Sequence, residues 1–232
     1  MCYAYTFRHS QNGLAGFFRI MRDGRLVNVG STNPRPFITP GSFAVYGAHG
    51  PNLIDSTWGR TFKGKLIYNA RSDKLLTSSF WKEAFQLRRC LIPADGWYDL
   101  HQELPQGTTL SKYEAKQQGL TRNGKRQYFF HLPDEPCFAM AGIYGKGVVK
   151  GETVDCFMVI TTDASDSIKH LHHRMPALVD RQYFDDYLSP DIPAVEAHQM
   201  ISPYDQEIIY RPQPGPVSDD YLNWPSGYTL SF

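Results

Sequence analysis

At 232 residues, with 41% apolar, 20% charged and 14% aromatic side chains, the chain can bury a sizeable core, and its composition excludes a disordered protein or a simple helical bundle. A formal charge of +1 and a sequence pI of about 7.7 exclude a global field that gathers nucleic acid, so any DNA contact must rest on a local cluster of Arg and Lys. No apolar run approaches the roughly 20 residues of a membrane span. The four cysteines, Cys2, Cys90, Cys137 and Cys156, are far apart with no signal peptide ahead of them, so the expectation is a soluble, cytoplasmic protein with free thiols.

In chain order, Cys2 to Phe7 alternates in the manner of a strand, with Tyr3, Tyr5 and Phe7 on one face. Asp23-Gly24 between Phe17–Arg22 and Arg25–Val29 predicts a hairpin. A loop rich in Pro leads to a strand over Phe43–Tyr46, and Gly47 to Ser56 reads as another loop. Lys65 to Tyr68 predicts a strand that delivers Asn69, Ala70 and Arg71 at its end. The spacing of Phe80, Trp81, Ala84 and Phe85 predicts a helix over 78–86, closed by Arg88 and Arg89 where cations suit the helix dipole. Cys90 to Leu100 predicts a strand kinked at Asp95-Gly96.

Residues 101–126 are polar and without clear period, which predicts an insertion or long loop. Strands follow over 127–131, 138–144 and 156–161, the last two as nearly continuous apolar runs of central strands. A short helix is expected over 163–171, a strand over 177–179, helices over 181–188 and 194–201, and a final strand over 208–212. No repeat is present. The expected fold is therefore a single α+β domain over residues 1–232, with a curved, mostly antiparallel, barrel-like sheet flanked by short helices.

Several residues carry chemistry. Met1 is trimmed when the next side chain is small, and its removal would leave the α-amino group and thiol of Cys2 on neighbouring carbons. An α-amine titrates near about 7.7–8.0 and a thiol near about 8.5, so both are partly nucleophilic at neutral pH. That pair converts an aldehyde first to a Schiff base and then, by thiol closure, to a thiazolidine. A plain apolar cysteine opening a strand is the alternative. His170, His172 and His173 suggest either acid/base chemistry or exposed residues flanking a strand, and no carboxylate or thiol with ligand spacing supports a metal site. Asp95 and Asp99 flank the kink, as turn former and strand residue or as a carboxylate aimed into a cleft. Asn69 and Arg71 share one face by strand period, an amide beside a cation suited to phosphate. Trp58, Trp81 and Trp97 read as core or as base-stacking rings.

Together, Cys2 after Met1, the run Asn69-Ala70-Arg71-Ser72, the run Arg89 to Tyr98, and His172-His173-Arg174-Met175-Pro176 resemble the SRAP family, the SOS response-associated peptidases or abasic-site processing proteins. The resemblance implies a protein that crosslinks covalently to the ring-opened sugar of an abasic site in single-stranded DNA. Carried over, Cys2 is the nucleophile, His172 a general acid/base, Asn69 the group that positions the sugar, and Asp99 the catalytic carboxylate. Arg71, Arg174 and Thr161 fall where the family contacts DNA. The implied partners are abasic single-stranded DNA and replication-fork proteins, with the chain acting as a monomer, needing no cofactor or metal, and gathering on the nucleoid when bound.

Two departures stand out. Tyr3-Ala4 replaces the family's Gly-Arg pair, and Asp99 replaces its glutamate, shortening the stem by one methylene, about 1.5 Å. Crosslinking tolerates that loss better than lyase turnover or crosslink reversal, which need the carboxylate. Two other readings stay open at this point: a self-processing peptidase in which Cys2 attacks an amide, and a non-catalytic single-strand binder.

Overall fold

The computed structural model describes residues 2–7, 21–22, 25–26, 35–38, 43–49, 52–133, 135, 137–202 and 204–213. Its first strands are β1 (Ala4–Phe7), β2 (Met21–Arg22), β3 (Arg25–Leu26), β4 (Arg35–Ile38), β5 (Phe43–His49) and β6 (Asn52–Trp58). Three short strands follow, β7 (Arg60–Phe62), β8 (Lys65–Ile67) and β9 (Asn69–Arg71), then helix α1 (Lys82–Leu87). The middle of the chain forms β10 (Arg89–Ala94), β11 (Gly96–Gln102), α2 (Lys112–Gln118), β12 (Lys125–His131), β13 (Phe138–Val149) and β14 (Glu152–Asp163). The last elements are β15 (Arg174–Pro176), β16 (Leu178–Val179), α3 (Phe184–Leu188), α4 (Ala194–Gln199), β17 (Ile201–Ser202) and β18 (Ile209–Pro212).

Two main sheets result. The smaller runs β18-β12-β11-β1-β4; the larger runs β15-β14-β6-β5-β10-β13-β16-β17, with β7, β8 and β9 attached at its side. Because β13 also pairs with β14, the larger sheet's pairings curve back on themselves. All strand pairs are antiparallel except those of β14 with β6 and with β9. The fold is thus the sheet-dominated α+β architecture with short helices that the pattern predicts, built as two sheets rather than one barrel.

The sheets are joined at the kink. Arg89–Ala94 belongs to the larger sheet and Gly96–Gln102 to the smaller, with Asp95 between them. Asp95 N–H donates to the Thr6 carbonyl at 2.9 Å, and its carboxylate accepts from the Thr6 hydroxyl, so β1 is fastened where the chain changes sheets. Glycine is required beside it: a Cβ at Gly96 would lie 2.2 Å from the Phe129 ring and 2.8 Å from the Phe130 carbonyl oxygen.

Apolar side chains from both sheets make one continuous core. Trp58, Phe85, Ile92, Met140, Phe157 and Ile160 are fully buried in it. β1 is buried on both faces, Ala4 and Thr6 as well as Tyr5 and Phe7, so its alternation does not mark a wet side. Arg89 is a core residue too. Its guanidinium donates to the carbonyls of Phe85 (2.7 Å) and Gln86 (3.0 Å) at the end of α1, to that of Tyr187 in the last turn of α3, and to those of Ser189 and Ile192 beyond it. A cation buried this way satisfies carbonyls that helix termini leave open.

Four expectations change. Gly47 to Ser56 is not a loop: β5 continues to His49 and β6 begins at Asn52, because β6 is paired on one side with β5 and on the other with β14, which offsets its polar sequence. The 163–171 helix is absent; Asp163 ends β14 and the segment makes a turn around Ser165, whose carbonyl accepts from Ile168 and Lys169. Asn69–Arg71 is a strand in its own right, parallel to β14. The 101–126 region is not one long loop: β11 runs into it, and α2 inside it has a complete capping box between Ser111 and Glu114 with left-handed Gly119 closing its end. The hairpin pairs Met21 with Leu26 and Arg22 with Arg25, its Asp23-Gly24 turn lying outside the described residues.

Substituting Gly96→Ala is expected to destabilise the fold by about 1–3 kcal/mol, since the added methyl overpacks the Phe129 ring. Chemical denaturation of the two chains measures this directly; equal midpoints would show that the sheet crossing tolerates a side chain.

Candidate active site around Cys2

β1 places Cys2 by pairing. Ala4 lies opposite Tyr98 on β11, and Tyr3 N–H donates to the Tyr98 carbonyl at 3.3 Å, so the chain before β1 runs alongside Asp99. From the other sheet, β9 brings Asn69 up to the same point. Its Nδ2 donates to the Cys2 carbonyl at 2.8 Å, while its buried Oδ1 has no hydrogen-bond partner among the described residues. The Cys2 thiol is fully buried and lies 3.5 Å from the Ala4 carbonyl oxygen.

Asp99 is buried, and one carboxylate oxygen accepts from Leu100 N–H at 2.8 Å. The other stands 3.8 Å from Nδ1 of His172. That imidazole nitrogen also lies 2.9 Å from the Arg174 carbonyl oxygen and 3.0 Å from Arg174 N. The structure therefore brings Cys2, Asn69, Asp99 and His172 into one cluster at the junction of the two sheets.

The electrostatics correct one expectation. Burial, followed by the negative charge of Asp99, pushes the Cys2 thiol well above its ordinary range. It is protonated at neutral pH rather than partly ionised, so sulfur attack requires a group that takes its proton. His172 moves the other way: burial holds it below its ordinary value of 6.5, with Asp99 pulling it partly back, which keeps the ring neutral and basic near pH 7.

The three expected DNA-contact residues differ in placement. Arg71 is exposed but donates through Nε and Nη2 to both carboxylate oxygens of Asp73, at 2.9 and 3.0 Å. Arg174 is buried, with Nη1 donating to Asp163 at 2.6 Å, Nη2 to the Thr161 carbonyl, and Asp73 at 3.9 Å. Thr161 is fully buried on β14 opposite Arg71, its hydroxyl 3.5 Å from the Ala70 carbonyl oxygen. Its side chain offers no surface to a strand of DNA, and it instead supports the β9 pairing.

Three neighbours lack a sequence signature. His101, two residues beyond Asp99 on the same face of β11, donates through Nδ1 to the Leu171 carbonyl at 2.9 Å and so ties the His172 turn to the Asp99 strand. Tyr3 and Tyr68 border the cluster, and burial with Asp99 and Cys2 nearby raises both phenols above their ordinary range. The other histidines diverge: His170 reaches Tyr210 at 3.2 Å, while His173 stacks on His172. Among the described residues no three His, Cys, Asp or Glu side chains are grouped to hold a metal ion, and all four cysteines are free. No described helix is long and apolar enough to cross a membrane.

Residues 1–219 match the family model of the SOS response associated peptidase, SRAP. The abasic site processing protein HMCES of Gallus gallus is 30% identical over 196 residues, covering 69% of this chain and 52% of its own. The abasic site processing proteins YoaM of Bacillus subtilis and YedK of Escherichia coli are 24% and 23% identical, over 65% and 58% of this chain. The chain spans about half the length of these HMCES relatives, 52% of the chicken protein and 53% of the Xenopus tropicalis protein. Among solved structures, a Bacteroides thetaiotaomicron protein superposes with a TM-score of 0.71 at 21% identity, covering 95% of this chain and 94% of its own. A phage-related protein of Bordetella bronchiseptica gives 0.68 at 18%, with coverage of 91% and 94%. These two likenesses concern the fold.

Alkylation of Cys2 in the native chain is expected to be slow at pH 7–8 and to keep accelerating above pH 9, because the raised thiol releases its proton late. Asp99→Asn removes the neighbouring charge, lowers the thiol and speeds alkylation. Mass-resolved iodoacetamide labelling reads both; a parent rate matching that of free cysteine would contradict the buried, protonated thiol.

Proposed function

This chain belongs to the SOS response-associated peptidase family, and from that premise we propose that it processes abasic sites in single-stranded DNA by forming a covalent thiazolidine through Cys2. The observation that carries the reading is the convergence of buried Cys2 and Asp99 with half-buried Asn69 and His172 at one point. Its only covalent requirement is removal of Met1 to free the Cys2 amine.

The steps follow from the groups present. The Cys2 amine adds to the C1′ aldehyde of the ring-opened sugar, and loss of one water gives a protonated imine. Sγ then adds to the same carbon and gives up its proton, closing the five-membered ring, so aldehyde and aminothiol yield thiazolidine plus water. Asp99 suits the cationic intermediate, since the same charge that disfavours thiolate favours an iminium beside it. Neutral His172 can take a proton during sugar opening and return one to the departing hydroxyl. Asn69 fixes the Cys2 carbonyl, and its unpartnered Oδ1 is an acceptor for a hydroxyl or amine proton on the adduct.

Specificity then comes from the electrophile, because only a base-free sugar offers an aldehyde, and no base need be read. Arg71 lies on the same strand as Asn69 and can meet a backbone phosphate in exchange for Asp73, while Arg174 and Thr161 hold the strands beneath it. Lyase turnover and reversal of the crosslink are the steps assigned to the Asp99 carboxylate. The SRAP name also suggests self-processing, which would release Met1 and leave the same aminothiol.

Incubation with an oligonucleotide carrying one abasic site is expected to give a heat-stable, shifted band on a denaturing gel. The band should be absent with intact DNA and with Cys2→Ser or Cys2→Ala. A chain with Met1 removed that gives no such band overturns the covalent mechanism, and unchanged weak binding would then mark a passive binder.

His172→Gln is expected to slow crosslinking by roughly 10²-fold. The parent rate should fall as the amine protonates below about 7.7–8.0 and fall more steeply at lower pH as His172 protonates, later than an ordinary imidazole because burial lowers it; the variant keeps only the first limb. Rapid-quench rates from pH 5 to 9 measure this, and identical profiles would remove His172 from the proton transfers. Asp99→Ala is expected to slow reversal more than crosslinking, read by transfer of the crosslinked protein to a fresh abasic strand; crosslinking and reversal rates both unchanged from the parent would remove Asp99 from the chemistry.

A further inference from the structure

A cavity of about 360 Å³ opens between α1, β7 and the β13–β14 hairpin, lined among others by Arg60, Phe80, Trp81, Arg88, Tyr144 and Lys146. Cys156 and Met158 of β14 also line it. By strand alternation these two point away from the face of Val159 and Thr161, which pair with Asn69 and Arg71. The cavity and the Cys2 cluster therefore lie on opposite faces of β14.

Two of its cations are matched. Arg88 pairs with Glu83 at 2.9 Å and Lys146 with Asp155 at 2.8 Å. Arg60 has no carboxylate partner among the described residues, and its buried Nε has no hydrogen-bond partner. Its guanidinium lies 4.4 Å over the Phe80 ring, which packs edge-on against Trp81 at 4.3 Å and Phe62 at 4.7 Å. Gly147 holds the stem of Arg60 close: a Cβ there would fall 2.5 Å from Arg60 Cβ and 2.7 Å from Cys156 Sγ. A planar cation is thus fixed in a cavity, against aromatic rings, with donor capacity unspent.

We propose that this cavity binds a nucleotide, its phosphate on Arg60 with support from Arg88 and Lys146, and its base against the Trp81 and Tyr144 side of the wall. Arg matches phosphate geometry through paired N–H donors, and aromatic rings accept any base without reading its edge. The volume lies within the range of small-molecule sites, which begins at about 300 Å³. The ligand is a nucleoside monophosphate, whether free or as one unit of a single strand, and the site does not depend on the Cys2 reaction.

Calorimetric titration of the full chain with deoxyadenosine 5′-monophosphate, inorganic phosphate, deoxyadenosine and a dT oligonucleotide tests this. The monophosphate is expected to bind more tightly than either of its halves. Arg60→Gln and Trp81→Leu should each weaken it on the order of 10-fold, with melting temperature and Cys2 crosslinking retained. Trp81→Leu serves alone should Arg60→Gln fail to fold. Oligonucleotide binding that weakens with the same variants identifies the strand as the source; oligonucleotide binding indifferent to them identifies the free nucleotide. No monophosphate binding at millimolar concentration, affinity unchanged in both variants, or deoxyadenosine binding as tightly as the monophosphate overturns the proposal.

Discussion

Everything at the Cys2 cluster depends on β1 being held against β11. That pairing is a short one, three residues against three, and it is reinforced at the point where β10 gives way to β11, by the double contact of Thr6 with Asp95. A chain that changes sheets leaves backbone groups outside both ladders, and here the Asp95 N–H is spent on the Thr6 carbonyl while the carboxylate secures the Thr6 side chain. With β1 fixed, Cys2 falls beside Asp99; without it, the residue would hang from the edge of a sheet. The larger sheet contributes the other half through β9, whose parallel pairing with β14 lifts Asn69 to the Cys2 carbonyl. The cluster is a seam between two sheets, so its geometry is as rigid as both of them.

The same seam sets the order of reactivity. A thiol held neutral by burial and by a carboxylate is a poor first nucleophile, and an amine in the same setting has the advantage. Sulfur becomes competent only when a proton acceptor and a positively charged carbon are both present. In the proposed reaction a neutral imidazole 3.8 Å from the carboxylate would supply the first, and condensation the second. Such an arrangement shields the sulfur from casual alkylation and oxidation, and in the proposed reaction it would leave the sulfur one ring-closing step from its target.

Much of this was legible in the sequence, and the exceptions have physical causes. The long apolar runs of β13 and β14 announced central strands, and the Asp95-Gly96 kink announced a change of direction. Local periodicity missed β6 because its stability comes from partners on both sides rather than from its own polar residues. It suggested a helix over 163–171 where the need to return β15 to β14 imposed a turn. At the site, residue identity pointed to Cys2, Asn69, Asp99 and His172, yet nothing in the sequence reveals that His101 ties the turn to β11. Charge was the least legible property: Arg174 reads as a DNA contact until burial shows its donors spent on the Thr161 carbonyl and Asp163.

Asp73 gives this charge pattern a kinetic meaning. It already occupies the guanidinium of Arg71 with both oxygens, in the geometry a phosphate would take. A DNA strand arriving there exchanges one oxyanion for another, and the net gain is small. Under the proposed function an ordinary strand would gain little at Arg71, and intact DNA would be sampled without stalling. In the proposed reaction retention is left to the covalent bond, which would make residence on DNA a record of damage rather than of affinity.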